Sequence, residues 1–115
     1  MAQVRTIAVT DELSHIGLVG RLDIEGVGTV EIPLTAATVA RKRPAIVDMS
    51  GVEFLGSMGI GLLVRCAVSL QRSGARLVLF GCQPLVQRSL EVTKINAVLP
   101  IVDSEAAAFE LVAMK

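Results

Sequence analysis

Pro44-Ala45-Ile46-Val47-Asp48-Met49-Ser50-Gly51-Val52-Glu53-Phe54-Leu55-Gly56-Ser57-Met58-Gly59-Ile60-Gly61 is the stretch whose reading decides the fold. Arg43-Pro44 restarts the chain in an extended form, because proline disfavours helix in the residue before it. Ala45-Ile46-Val47 is short and wholly apolar, as a strand covered on both faces should be. Met49 to Gly56 reads as a connection rich in turn residues, pinned by two apolar anchors, Val52 and Phe54. Ser57 then opens the clearest helix of the chain. Ile60, Leu63, Val64, Ala67 and Leu70 recur at helical spacing on one side, with Arg65, Ser69 and Arg72 largely off it. Gly74 ends the helix, since glycine takes the left-handed conformation without penalty.

Elements alternate on both sides of this stretch. Toward the N-terminus, Val4–Val9 and His15–Val19 read as two strands joined at Asp11-Glu12. Asp23 reads as the N-cap of a helix to Ile32, and Pro33 is expected to interrupt it before a second helical piece, Leu34–Arg41. Toward the C-terminus, Leu77–Phe80 reads as a strand. Pro84 fits the first turn of a helix to about Lys94. Val98–Val102 reads as a strand kept at the sheet edge by Pro100. Asp103 or Ser104 caps a last helix through Val112. The order β-β-α-β-α-β-α-β-α predicts an α/β fold: a mixed, mostly parallel sheet of about five strands with four to five helices.

The chain has 115 residues, which reads as one domain, 1–115. A chain of this length buries roughly two-thirds of its unfolded surface, enough to fold without a disulfide or metal. Hydrophobic residues make up 52%, yet there are three Phe, no Trp and no Tyr. Stacking platforms for bases or sugars are therefore nearly absent. Eleven basic and eleven acidic residues cancel, so no general field draws the chain to nucleic acid or to an anionic membrane. Arg41-Lys42-Arg43, the only basic run, reads first as a helix C-terminus. No apolar run approaches the ~18 residues needed to cross a bilayer. Cys66 and Cys82 lack a paired-motif spacing and read as free thiols of a reducing compartment. The expected location is the cytoplasm.

Catalytic patterns are missing from the sequence. The single histidine, His15, has no ligand-like partners and reads as a solvated or core-edge residue. No phosphate loop is present, and Gly56-Ser57-Met58-Gly59 lacks nucleophile-elbow spacing. Gly26 and Gly28 follow a strand without completing a dinucleotide fingerprint. No cofactor, metal site or enzyme activity is expected. What remains is the junction at Ser57. Free backbone amides at a helix start favour a phosphate or carboxylate. Ser57 therefore reads either as an ordinary N-cap or as a site whose phosphorylation its own helix would tolerate. Met58 fills a gap or offers an adaptable contact. Gly59 and Gly61 cost helix propensity, which close backbone approach or tight packing under the loop would explain.

Gly20-Arg21-Leu22-Asp23, Pro44 through Phe54, Ser57-Met58-Gly59-Ile60-Gly61-Leu62-Leu63, Gly74-Ala75-Arg76-Leu77-Val78-Leu79 and Asp103-Ser104-Glu105-Ala106-Ala107 together resemble the STAS family, in particular its anti-sigma factor antagonists. The resemblance spans nearly the whole chain. It implies a STAS-like fold and a partner-switching regulator that binds an anti-sigma factor, often a serine kinase of the GHKL type. Phosphorylation at the start of the second main helix then abolishes binding, and a PP2C-type phosphatase restores it. The resemblance assigns partner contact to Asp23, Asp48, Gly56, Ser57, Met58 and Gly59. One departure matters. The usual acceptor, directly before the glycine, is Met58 here, and Gly56 stands at the preceding acidic position. Ser57 is then the phosphorylation candidate. The family also implies a second role, a scaffold or accessory subunit of a transporter or signalling complex, working without a phosphorylation switch.

Overall fold

The computed structural model describes residues 2–95 and 98–113, so Met1, Asn96, Ala97, Met114 and Lys115 lie outside the described residues. Strands β1 (Gln3–Val9) and β2 (Ser14–Leu22) form an antiparallel hairpin. Helix α1 (Ile24–Ala37) follows, then a 3-10 turn over Val39–Arg41. Next come β3 (Ala45–Leu55), α2 (Ser57–Arg72), β4 (Leu77–Phe80), α3 (Pro84–Val92), β5 (Ile101–Val102) and α4 (Glu105–Ala113). The strands form one sheet in the order β1-β2-β3-β4-β5, with β2 to β5 parallel. This is the mixed, mostly parallel sheet expected.

Alternation along β3 builds two cores. Ala45, Val47 and Met49 face a large cluster with Val27, Val30 and Leu34 of α1, Leu63 and Ala67 of α2, and Val86 and Leu90 of α3. Ile46 faces the other way, into a smaller cluster with Val78, Phe80 and Ala108 of α4. Ala45, Ile46 and Val47 are all fully buried, as a strand covered on both faces requires. His15 lies at the edge of the smaller core, between Phe80 and Phe109, with Glu105 3.5 Å from Nδ1.

Three expectations about elements need correction. Residues Met49 to Leu55 are not a connection but the continuation of β3, paired with β2 as far as Leu55 opposite Leu22. Two register shifts, between Gly17 and Val19 and between Gly20 and Arg21, mark bulges. The turn-forming Ser50, Gly51 and Glu53 are accommodated there without ending the strand. Pro33 does not interrupt α1, which runs through it. The carbonyl left without a donor belongs to Thr29, an exposed residue, while Val30 and Leu34 are fully buried and hold the helix down. The last strand is only Ile101–Val102. Pro100 precedes it, at the expected sheet edge, and its carbonyl accepts from the Leu79 amide at 3.0 Å. Arg41 ends the 3-10 helix, as its place in the basic run predicts, and it also reaches beyond that end. Its guanidinium donates to Ser14 Oγ and to the Thr10 and Leu13 carbonyls, tying the 3-10 turn to the hairpin.

Candidate functional site

The C-terminal ends of β2 and β3 meet the starts of α1 and α2 at one end of the sheet. Asp23 caps α1, accepting the Gly26 amide at 2.9 Å through Oδ1, as its position predicts. The capped turn is tight: a Cβ on Gly26 would stand 1.8 Å from the Arg21 carbonyl oxygen. Only glycine lets α1 begin so close to β2. The Gly26 amide, above all, holds the Asp23 carboxyl below its ordinary range against the opposing effect of burial, with help from Arg21.

Arg21 links Asp23 to the second strand. Its Nε lies 3.6 Å from Asp23 Oδ2, and its guanidinium carbon sits 4.6 Å from the centre of the Phe54 ring. Pairing of Arg21 with Phe54 across the β2–β3 ladder places the two side chains together. Phe54 is 39% exposed, so it is a surface group and not the buried anchor expected. Val52, fully buried, does anchor the strand. Bulging between them turns neighbouring side chains to different sides.

Gly56, not Ser57, is the N-cap of α2; its amide donates to the Leu22 carbonyl at 3.1 Å. Ser57 is the first helical residue and makes no capping bond. Its hydroxyl is exposed next to Met58, which is 51% exposed. Gly59 lies beneath them. A Cβ there would meet Leu55 Cδ1 at 2.8 Å, Leu22 Cβ at 2.9 Å and the Leu22 oxygen at 3.1 Å. Internal packing explains this glycine, which supports the surface from below.

Asp23, Gly56, Ser57, Met58 and Gly59 thus come together, and Asp48 does not join them. Asp48 pairs with Gly17, five β2 positions before Leu22, or about 17 Å along the strand. Its Oδ1 accepts the Ser50 amide at 2.9 Å. Burial, and then the nearby Asp48 charge, push the Cys82 thiol up to about 11; burial also raises Cys66. Both cysteines are free thiols. Among the described residues, no three His, Cys, Asp or Glu side chains gather as a metal-ligand set. None of the described helices is long and apolar enough to cross a membrane. Sequence reasoning missed Arg21, Phe54 and the exposed Ile24 as parts of this end. The alternation Arg21 out, Leu22 in was the available signal for the first of them.

The resulting surface is an exposed apolar group, Phe54 and Met58, bordered by an Arg–Asp pair and a helix start with free amides. The family model described as STAS domain matches residues 5–108. No curated protein matches the chain at a significant level. Among solved structures, an anti-sigma-factor antagonist (STAS) domain protein from Planctomyces limnophilus is 27% identical, with a TM-score of 0.81 over 97% of this chain and 98% of that one. An anti-sigma factor antagonist from Mycobacterium paratuberculosis is 24% identical, with a TM-score of 0.82 over 96% and 94% of the two chains. The Bacillus cell fate determinant SpoIIAA in its phosphorylated form is 20% identical, with a TM-score of 0.68 over 94% and 98%. Sheet order, helix placement and the family match over nearly the full length agree: the chain belongs to the STAS domain family.

Proposed function

We propose that the chain is an anti-sigma factor antagonist-type regulator that acts in the cytoplasm by docking and not by catalysis. One observation carries this reading. The start of α2 presents Ser57 and Met58 to solvent beside Phe54, Arg21 and Asp23, and the Asp23 cap apart, the fold makes little use of what they expose. The Planctomyces neighbour, at 27% identity, is named as an anti-sigma-factor antagonist, which supports the same role here.

In this reading the partner is a kinase-type anti-sigma factor of the GHKL class. Ser57 Oγ takes the γ-phosphoryl group of the kinase's ATP, and a PP2C-type phosphatase removes it. The phosphate adds about two negative charges. The free amides of the α2 start accommodate them within this chain. Against a partner seated on Phe54 and Met58, the same charges are desolvated without compensation, and the complex opens. Incubation with the cognate kinase-type anti-sigma factor tests docking: no complex at micromolar concentration removes the claim. Ser57→Asp is expected to weaken the complex at least about tenfold, or ~1.4 kcal/mol, while Ser57→Ala retains it. Phosphopeptide mass spectrometry locates the modification, and phosphate on Ser50 alone counts against Ser57. A second reading, a scaffold or accessory subunit without a switch, is favoured by the exposed Met58 at the usual acceptor position. Copurification with a transporter ATPase subunit in place of an anti-sigma factor selects it.

A further inference from the structure

Helix α1 carries apolar residues on both its sides. Val27, Val30 and Leu34 are buried against the sheet. At 100° per residue, Ile32 stands opposite them, at the centre of the outward side, with Glu25, Gly28 and Ala36 nearest it, Thr29 and Thr35 flanking, and Ile24 toward the margin. Ile32 is 80% exposed and Ile24 is 74% exposed. Gly28 and Ala36 are exposed as well, and a Cβ on Gly28 would meet nothing within 4 Å. A shallow hollow of about 450 Å³ opens beside Ile32, lined by Glu31, Thr35, Ala36 and Ala40. Ile24, Gly28, Ile32 and Ala36 follow one another at every fourth residue as an exposed apolar stripe with Glu25, Thr29 and Glu31 beside it, and an exposed apolar patch rimmed by polar residues marks an interaction site. Helix α3 also exposes Leu85 and Val92, but Arg88 stands between them.

We infer that the outward side of α1 is a docking surface for an amphipathic helix of a partner protein, with basic residues flanking an apolar stripe. Gly28 allows close approach of the incoming helix, and the hollow beside Ile32 receives one of its apolar side chains. Charge selects the occupant. The only charges on α1 are Glu25 and Glu31. Arg65 lies 3.6 Å from Glu31, whereas Glu25 has no ion-pair partner among the described residues. Lysine or arginine on the incoming helix completes Glu25. A second copy of this chain does not: a two-fold antiparallel pairing centred on Gly28 sets Glu25 against Glu31. An anionic membrane is disfavoured for the same reason, since interfacial helices carry Lys and Arg on their polar side. This surface borders the α2 start at Ile24, but its centre at Ile32 lies about two helical turns further along α1, and it stands whether or not that site binds an anti-sigma factor.

Amide chemical shifts of the full chain test the inference. One probe is a synthetic helical peptide of Ala, Leu and Lys with leucine at every fourth position; the other replaces each Lys with Glu. The Lys peptide is expected to shift the amides of Gly28, Ile32, Ala36 and Ala40, and to bind at least about tenfold more tightly than the Glu peptide. Ile32→Ser should lower that affinity about tenfold with an unchanged unfolding midpoint. Glu25→Lys should narrow the preference between the peptides at least about threefold. Equal binding of both peptides, shifts confined to Phe54 and Met58, or no shift with either peptide overturns the inference. So does an Ile32-dependent dimer in sedimentation, or Ile32-dependent binding to phosphatidylglycerol vesicles.

Discussion

The two ends of β3 carry similar sequence signals and do opposite things. At the Asp48 end, polar groups are used up inside the chain. The carboxylate accepts the Ser50 amide, and the Gln83 side chain donates to the Ser50 carbonyl at 2.9 Å. At the Leu55 end, packing is used up and the surface is left over. Gly59 and Leu55 close onto Leu22, while Ser57 and Met58 remain in water. A polar residue already matched inside its own chain has little to offer a partner. An exposed methionine beside an uncommitted hydroxyl has no such prior engagement.

Glycine substitutions give the largest effects and strike at what holds the exposed end. Gly26→Ala drives its Cβ against a backbone oxygen that no rotamer change relieves. A loss of about 3 kcal/mol or more is expected from urea unfolding. Gly59→Ala meets one movable atom, Leu55 Cδ1, and the less yielding Leu22, so about 1–3 kcal/mol is expected. Gly61→Ala is the contrast. Its nearest neighbour is the end of the Arg65 side chain at 4.0 Å, and a gain of about 0.5–1 kcal/mol is expected from helix propensity alone. Equal stability of the Gly59 and Gly61 variants would break the claim that packing fixes the α2 start.

The same two ends explain what the sequence disclosed. Helix α2 and strand β4 are legible because local pattern and final packing agree: Leu63, Ala67 and Leu70 are buried as their spacing predicts, and so is all of Leu77–Phe80. Met49–Leu55 is illegible because Ser50, Gly51 and Glu53 favour turns locally. Pairing with β2, some thirty residues away in sequence, overrides that preference through two bulges. Pro33 misleads similarly, since burial of Val30 and Leu34 holds the helix across it. At the candidate site, Ser57, Met58 and the Asp23 cap are local features and can be read directly. The Arg21–Phe54 contact depends on the β2–β3 register, which no local pattern contains. Asp48 sits in the same motif as Ser57, and only the extended course of β3 separates them.

Acidification acts on the exposed end through Asp23. Asp23 is a carboxylate favoured by folding, so its contribution is present above the ordinary carboxyl range. It is lost as pH falls through the lowered folded value. Asp23→Asn keeps an acceptor oxygen for the Gly26 amide but does not titrate. The difference in urea midpoint between the two proteins is expected to be largest near neutrality and to shrink below about pH 4. A constant difference down to about pH 2 assigns the role of Asp23 to shape and not to charge.

The smallest effect belongs to Asp48, and it separates the two ends most cleanly. Burial is the main reason the Cys82 thiol stands at about 11, and the Asp48 charge is the second. Asp48→Asn removes the second and leaves the first. The thiol should move down while staying above the ordinary cysteine range. At a pH of about 9, its alkylation by iodoacetamide should speed up by about threefold, because the thiolate is the nucleophile. Cys66 supplies an internal control: its raised thiol answers to burial first, then to Thr38, Thr35, Arg65 and Glu31, and not to Asp48. Docking through the α2 start, about 17 Å away by strand length, should change by no more than about twofold in affinity. A large loss of docking in Asp48→Asn, with Cys66 reactivity and the unfolding midpoint unchanged, would return Asp48 to the binding surface and join the two ends of β3 into one site.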